Sequence, residues 1–197
     1  KGSIKRVSTG GVDKRKQPAF GELRPREEEV LKPYLFQDGK RIAYITGGSL
    51  YNRMGLTTQV PKTIKVASKA KRVTTKIGKT QVKPVKCYVD VTNENYFLLE
   101  ILDALKDFKT IPDIDKESAI ALLKNEINQL SEKDRSRMIR YALKYPPRAV
   151  ALLGAILDLA KKKNGLESLK RRLNPLTTYQ LGLKQETLPT APEWNIN

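Results

Sequence analysis

Acidic side chains are the main groups from which this 197-residue sequence could build a catalytic site, because it contains no histidine and one cysteine, Cys87. These counts exclude His-based acid–base catalysis, Ser–His and Cys–His nucleophile pairs, an intramolecular disulfide and a cysteine-rich zinc site. A Mg²⁺-dependent nuclease would instead use carboxylates such as Asp90 and Glu94, or Glu100 and Asp103, which are one helical turn apart. We interpret Glu100 and Asp103 as solvated residues opposite an apolar stripe, and predict no catalytic residue, metal site or cofactor.

Positive charge is concentrated in the first part of the chain. The net charge is +17, and residues 1–86 contain 21 Lys and Arg against 6 Asp and Glu, whereas residues 87–197 contain 17 against 15. An excess of this size attracts polyanions, and phosphate neutralisation is the main sequence-independent source of affinity for nucleic acid. The distribution favours DNA or RNA as a partner over a lysine content that serves only solubility.

The segment 62–86 contains nine basic and no acidic residues. Apolar Ile64, Val66, Val73, Ile77 and Val82 are separated by Lys, Arg and Thr, which predicts strands, with a hairpin turn at Ile77-Gly78-Lys79. If the strand is regular from residue 71, Val73, Thr75 and Ile77 share one face with Lys71, and the hairpin presents a positive ribbon. We define this basic ribbon as Lys62, Lys65, Lys69, Lys71, Arg72, Lys76, Lys79, Lys83 and Lys86.

Short elements are predicted before the ribbon. Residues 25–36 have the pattern of a helix that begins at Pro25, although Pro33 suggests an early end. Asp38-Gly39 indicates a turn, and Ser49 and Gly55 are candidate caps of a short helix over 50–54.

Helical spacing dominates from residue 92 onward. Apolar residues recur at intervals of three and four from Phe97 to Phe108, in a helix that Thr92 or Asn93 would cap, and again over 120–130. Ser131 begins a capping-box pattern, Pro147 is suited to the first turn of another helix, and a further helix is predicted over 166–173. Residues 179–183 are a candidate final strand, followed by a packed coil.

These elements predict an α+β fold, in which a basic part with short strands and a β-hairpin packs on a C-terminal helical bundle. The chain is predicted to divide into a short N-terminal segment over 1–18, a basic α+β subdomain over 19–91 and a mainly helical subdomain over 92–197. No apolar run approaches the length of a membrane span, so we expect no membrane partner, and the single cysteine fits a reducing, cytoplasmic compartment.

The most distinctive motif is Tyr44-Ile45-Thr46-Gly47-Gly48-Ser49-Leu50-Tyr51-Asn52-Arg53-Met54-Gly55-Leu56-Thr57-Thr58-Gln59-Val60-Pro61. It lacks the spacing of a phosphate-binding P-loop and is better interpreted as a turn that leads into a helix. Tyr44, Tyr51 and Tyr88 lie among basic residues, where tyrosines either fill a small core or stack on unpaired bases.

The motif resembles a bacterial family related to the AbiEi-type antitoxins, in which a Tyr-Leu-Thr-Gly segment, an Asn-Arg-Leu-Gly-Leu-Thr-Thr-Gln-Val-Pro core and a basic strand follow in this order. Three more segments are similar as well: Phe20–Pro25, Ala142–Arg148 with Ala151–Ala155, and Leu173–Tyr179 with Leu188–Ala191. The motif residues that carry the resemblance are Thr46, Gly47, Tyr51, Asn52, Arg53, Gly55, Thr57, Thr58 and Gln59.

This resemblance implies an N-terminal winged helix-turn-helix followed by an antitoxin or effector domain. Residues 1–18 would be the remnant of the wing and a linker, with Lys5, Arg6, Lys14, Arg15 and Lys16 as further phosphate contacts. The family implies a regulator that represses its own operon and neutralises a nucleotidyltransferase-like toxin.

We therefore predict a nucleic-acid-binding transcriptional regulator or antitoxin that is not an enzyme, with DNA or RNA as its partner and a cognate toxin as a possible second one. Two alternatives stay open. One is a metal-dependent nuclease that uses Asp90 and Glu94. The other is an antitoxin module whose positive surface meets an acidic protein.

Overall fold

The computed structural model describes residues 25–197, and side chains from Glu29 onward. Short elements form the described residues up to 85: α1 (Pro25–Leu35), β1 (Phe36–Gln37), β2 (Lys40–Arg41), β3 (Tyr44–Thr46), α2 (Gly48–Arg53), β4 (Thr63–Ala67), β5 (Thr75–Ile77) and β6 (Thr80–Val85). Longer helices follow: α3 (Tyr96–Asp107), α4 (Lys116–Gln129), α5 (Glu132–Ala142), α6 (Pro147–Leu159) and α7 (Leu166–Arg172). The predicted α+β fold class is confirmed.

A four-stranded sheet organises the basic part, in the order β3-β4-β6-β5. Strands β4 and β6 are parallel, and the outer pairs are antiparallel. Side chains alternate between the two faces, and one face packs against Leu31 and Leu35 of α1 to form a small core. The sheet residues of that core are Ile45, Ile64, Val66 and Val82.

The opposite face of the sheet joins the main core. Tyr44 of β3 and Ala67 of β4 lie in the same buried cluster as Leu50 of α2 and the apolar residues of α3. The main core therefore crosses the predicted subdomain boundary after residue 91. That boundary stays a prediction.

Helix α6 is the centre of the bundle. Residues 149–157 are all buried, because α6 packs against α3, α4, α5, α7 and the 3-10 turn Ala191–Trp194. Trp194 is fully buried in this turn, which confirms a packed C-terminal segment. None of the helices in residues 25–197 combines the length and apolarity needed to cross a membrane.

Most local signals are confirmed. The Asp38-Gly39 turn joins β1 to β2, and the turn after Ile77 joins β5 to β6. The Ser131 hydroxyl accepts a hydrogen bond from the Asp134 amide at 3.1 Å, and Pro147 is the first residue of α6.

Three predictions about helix ends are wrong. Helix α1 spans Pro25–Leu35, which confirms the helix predicted over 25–36, but it does not end early at Pro33, since a proline near the C-terminal end removes only one intrahelical donor. Helix α2 begins at Gly48, so Ser49 lies inside it and cannot be its N-cap. Asn95 precedes α3 as its N-cap, in place of Thr92 or Asn93.

Two predicted strands are also wrong. The regular strand expected from residue 71 begins at Thr75, because residues 68–74 form an irregular connection between β4 and β5. Residues 179–183 form no strand, and their pairing is a single bridge between Tyr179 and Ile196. Backbone hydrogen bonds from Leu181 and Gly182 converge on the carbonyl of Asn197 instead of forming a ladder.

Candidate nucleic-acid interface

All nine members of the basic ribbon have exposed side chains. Lys69 forms an ion pair with the exposed Asp90, at 3.5 Å from Nζ to Oδ1. The other eight cations have no carboxylate within ion-pair distance among the described residues. The ribbon therefore presents positive charge that the described part of the molecule leaves almost uncompensated.

The strand register brings three of these cations to one face of the sheet. Lys65 of β4 lies directly opposite Lys83 of β6, and Lys76 of β5 lies opposite Gln81 of β6. Paired residues on neighbouring strands project to the same side, and Gln81 and Lys83 are two positions apart on one strand. We call Lys65, Lys76 and Lys83 the basic face.

The remaining ribbon cations surround this face. Lys62 and Lys79 lie where β4 and β6 begin, and Lys69 and Lys86 lie beyond the ends of the same two strands. Lys71 and Arg72 lie in the connection between β4 and β5, with the Lys71 ammonium 5.5 Å from the Tyr34 ring centre. The predicted contacts Lys5, Arg6, Lys14, Arg15 and Lys16, and the wing over 1–18, lie outside the described residues.

The motif residues hold this sheet on α3 through a buried carboxylate. The hydroxyls of Thr46 and Tyr44 both donate to Oδ2 of Asp103, at 2.6 and 2.7 Å. Lys106 completes the group, with its Nζ 3.4 Å from Oδ1 of Asp103. Strand β3 is thus tied to the middle of α3 by two hydrogen bonds to a charged group.

Helix α2 is tied to the same helix on either side of Asp103. Arg53 forms an ion pair with Glu100 at 2.8 Å, and the Tyr51 hydroxyl donates to Asp107 at 2.5 Å. Glu100, Asp103 and Asp107 are spaced by three and four residues, so they form a polar stripe along α3. The carboxylates of this stripe accept the hydrogen bonds and the ion pair that the motif side chains form with α3.

The rest of the motif shapes the loop after α2. Gly55 has φ +79°, and the amides of Gly55 and Leu56 donate to the carbonyls of Asn52 and Tyr51, which is the glycine-terminated Schellman motif and confirms the predicted C-cap. The Asn52 amide donates to the carbonyls of Thr57 and Gln59. The Thr57 hydroxyl accepts from the backbone of Gln59, whose side chain donates to Asp113; Thr58 is exposed.

The prediction that Glu100 and Asp103 are solvated is wrong. Their exposed fractions are 2% and 1%, because β3 and α2 cover this side of α3 and form hydrogen bonds to it. Burial raises the pKa of both carboxyl groups, while Arg53 opposes the rise for Glu100, and Lys106 and the Thr46 hydroxyl oppose it for Asp103. Burial alone would lower the pKa of Lys106, but Asp103 and Asp107 raise it.

The carboxylates considered for a nuclease are separated by environment. Asp90 and Glu94 are exposed, whereas Glu100 and Asp103 are buried with cationic or hydroxyl partners. Within residues 25–197, no group of three or more His, Cys, Asp or Glu side chains could hold a metal ion.

The tyrosines near the ribbon belong to the core. Tyr44 and Tyr51 are buried, and burial raises the pKa of both hydroxyls well above the ordinary value. Tyr88 is half-buried and packs on the Tyr145 ring, with 4.4 Å between ring centres. The alternative that Tyr44 and Tyr51 stack on bases is therefore wrong.

Neither Asp107 nor the role of Asp103 as an acceptor for the motif is predicted from the sequence. A signal was available: the alternation of Tyr44 and Thr46 on one strand, and the helical spacing of the α3 carboxylates, both indicate polar stripes. The pairing of the two stripes depends on how the sheet lies on the helix, which neither pattern encodes.

Residues 1–139 match the protein family described as a family of unknown function, DUF6088. The matched range contains the motif, the basic ribbon and the polar stripe of α3. No curated protein and no solved structure matches the chain.

Proposed function

We propose that this chain, which belongs to the DUF6088 family, binds the phosphate backbone of DNA through its basic ribbon. The observation that carries the proposal is the basic face, where three exposed lysines on neighbouring strands share one side of the sheet. Clustered, uncompensated cations release counterions from DNA when they neutralise its phosphates, and this release drives association.

The residue types favour contacts with phosphates over contacts with bases. Arg72 is the one guanidinium in a ribbon that otherwise consists of lysines. Lysine acts as a compact point charge, whereas arginine supplies the planar donor pair that reads a guanine edge. The ribbon is therefore proposed to position the protein on DNA without reading its sequence.

The anchoring of the sheet supports a preformed surface. The basic face is continuous with β3, which hydrogen-bonds to the buried Asp103 of α3. Cations on a sheet fixed to a helical core lose less conformational entropy on binding than cations on a free segment.

The biological role that we propose is regulation of transcription, in an antitoxin or related regulator. The resemblance of the Tyr44–Pro61 motif to a bacterial family related to the AbiEi-type antitoxins supports this role, and it implies repression of the protein's own operon. In this proposal the helical bundle supplies the surface for a cognate toxin, which would be a nucleotidyltransferase-like protein.

Titration of the full chain tests the proposal. Labelled duplex DNA, duplex RNA and polyglutamate are each titrated at several salt concentrations between about 50 and 200 mM. We expect the tightest binding to DNA, with an affinity that falls steeply with salt. If polyglutamate bound as tightly as DNA or more tightly, the proposal would be contradicted and the ribbon assigned to an acidic protein partner. If duplex RNA bound more tightly than DNA, RNA would be the target in place of DNA.

A further inference from the structure

A cleft of about 340 Å³ lies between the start of β4 and the end of α3, where the motif meets the basic ribbon. Its volume falls in the range of small-molecule sites. Its lining residues lie between positions 47 and 112, within the part of the chain that matches the DUF6088 family.

One side of the cleft is cationic. Lys62 and Lys65 line it together with Thr63, which lies between them on the chain. Both lysines are exposed and form no ion pair with a described residue, so they are available to a phosphate group.

The other side supplies a hydrogen-bond acceptor. Asp107 lines the cleft, and its Oδ2 accepts the Tyr51 hydroxyl at 2.5 Å. Oδ2 also lies 3.8 Å from Nζ of Lys106, and no hydrogen bond between described residues involves Oδ1. A carboxylate that lines the same cleft as two lysines disfavours a bare phosphate, since like charges repel, and favours a ligand that brings a hydrogen-bond donor together with its phosphate.

Apolar groups and glycines complete the cleft. Pro61 supplies apolar surface, Ile111 is only 4% exposed, and Gly47 and Gly48 are part of the lining. A Cβ atom at Gly48 would lie 2.9 Å from Cβ of Pro61, and one at Gly47 would lie 2.7 Å from Cδ of Lys65. The lysine stem and the proline therefore lie close against glycine backbone that leaves no room for side chains.

We infer that this cleft binds a nucleotide whose base carries an exocyclic amino group. Lys62 and Lys65 hold the phosphate, Pro61 contacts the base, and Oδ1 of Asp107 accepts a hydrogen bond from the amino group. Cytosine, adenine and guanine carry such a donor, whereas uracil presents a carbonyl in its place and has only its ring N3–H to donate. The inference goes beyond the proposed function, because duplex DNA has no unpaired nucleotide, and the chemistry of the cleft suits an unpaired nucleotide of a single strand or a free nucleotide.

A chemical-shift titration of the isotopically labelled full chain tests this inference with cytidine, uridine and inorganic phosphate probes. We expect cytidine 5′-monophosphate to shift the amide signals of Gly47 and Gly48, and to bind about tenfold more tightly than uridine 5′-monophosphate. Asp107→Asn should remove this preference, because an amide can both donate and accept. Lys65→Gln should weaken both nucleotides, whereas the exposed controls Asp38→Asn and Lys163→Gln should leave both titrations unchanged.

Two results would overturn the inference. One is the absence of shifts at Gly47 and Gly48 at millimolar nucleotide, and the other is equal binding of cytidine, uridine and inorganic phosphate. Salt-dependent binding of duplex DNA together with either result would leave the proposed function standing. A short oligodeoxycytidine that binds more tightly than the free nucleotide would identify a strand as the source, and equal affinity would identify the free nucleotide.

Discussion

Thr46 and Lys65 lie opposite each other in the antiparallel register of β3 and β4. The Thr46 hydroxyl donates to the buried Asp103 at 2.6 Å, while the Lys65 side chain is exposed. One face of the sheet therefore changes from a buried anchor to a cationic surface over a single interstrand spacing of about 4.8 Å. This relationship links the stability of the fold to the proposed binding surface.

Removal of the anchor should destabilise the whole chain. Asp103→Ala leaves the hydroxyls of Tyr44 and Thr46 without their acceptor and Lys106 without its nearest carboxylate. We expect the free energy of unfolding to fall by about 3–5 kcal/mol, as measured by urea denaturation. The change Asp90→Ala at an exposed position serves as the control. If both changes had equally small effects, the hydrogen bonds of Asp103 would not hold the sheet on α3.

The pH dependence of stability should carry the signature of Asp103. Burial raises its pKa in the folded chain, so at intermediate pH the folded state holds a proton that the unfolded state has lost. The contribution of this group is therefore fully present below the unfolded pKa and is lost as the pH rises through the folded pKa.

Asp103→Asn lacks this contribution. The wild type should gain stability over the variant when the pH is lowered from about 7 to about 4.5. Urea denaturation at the two pH values measures the difference in free energy of unfolding between the wild type and the variant. If the wild type instead lost stability relative to the variant on acidification, the folded pKa of Asp103 would be lowered and the prediction contradicted.

Two glycines of the motif should differ in their tolerance of alanine. Gly47 has φ +70° and ψ −149°, a conformation close to glycine-only space, and a Cβ atom would meet Lys65. Gly55 also has a positive φ, but its Cβ atom would have nothing within 4 Å.

We expect Gly55→Ala to cost about 1 kcal/mol and Gly47→Ala more than about 2 kcal/mol. Denaturation curves of the two variants make the comparison. If Gly55→Ala were the more damaging change, the contact between Gly47 and Lys65 would have no energetic role.

Gly154 and Trp194 should be coupled. A Cβ atom at Gly154 would overlap the six-membered ring of Trp194, which is fully buried and donates through Nε1 to Asp158 at 3.1 Å. Gly154→Ala should cost about 3 kcal/mol or more through overpacking.

A smaller side chain at position 194 should relieve this clash. We expect Gly154→Ala combined with Trp194→Leu to cost less than the sum of the single changes, by about 1 kcal/mol or more. Additive costs in a double-mutant cycle would contradict direct packing of the indole on Gly154.

Patterns with local causes were predictable from the sequence. The apolar spacing from Phe97 onward, the Ser131 cap and the Pro147 start identify helices of the bundle, because each signal acts within one or two turns. The exposed lysines of the ribbon were predictable for the same reason, since a basic residue between apolar neighbours on a strand points to solvent.

Features set by long-range packing were not predictable. Glu100 and Asp103 lie opposite the apolar stripe of α3, which indicates solvent for a helix with one covered side. Helix α3 is covered on that side too, by β3 and α2, and the cost of burying its carboxylates is offset by Arg53 and by hydroxyls some 50 to 60 residues away in the chain. The strand predicted over 179–183 does not form for a similar long-range reason, because no strand among the described residues lies beside it to pair with.

The salt dependence of DNA binding tests the central claim most directly. The slope of log affinity against log salt is negative for DNA binding. In the triple variant Lys65→Gln, Lys76→Gln and Lys83→Gln, it should become shallower by about 0.9 for each lysine that neutralises a phosphate. A control with the same charge change, Lys133→Gln, Lys163→Gln and Lys184→Gln, removes exposed lysines of the helical part and should keep the wild-type slope. Equal slopes for the two triple variants would contradict the basic face as the DNA-binding surface.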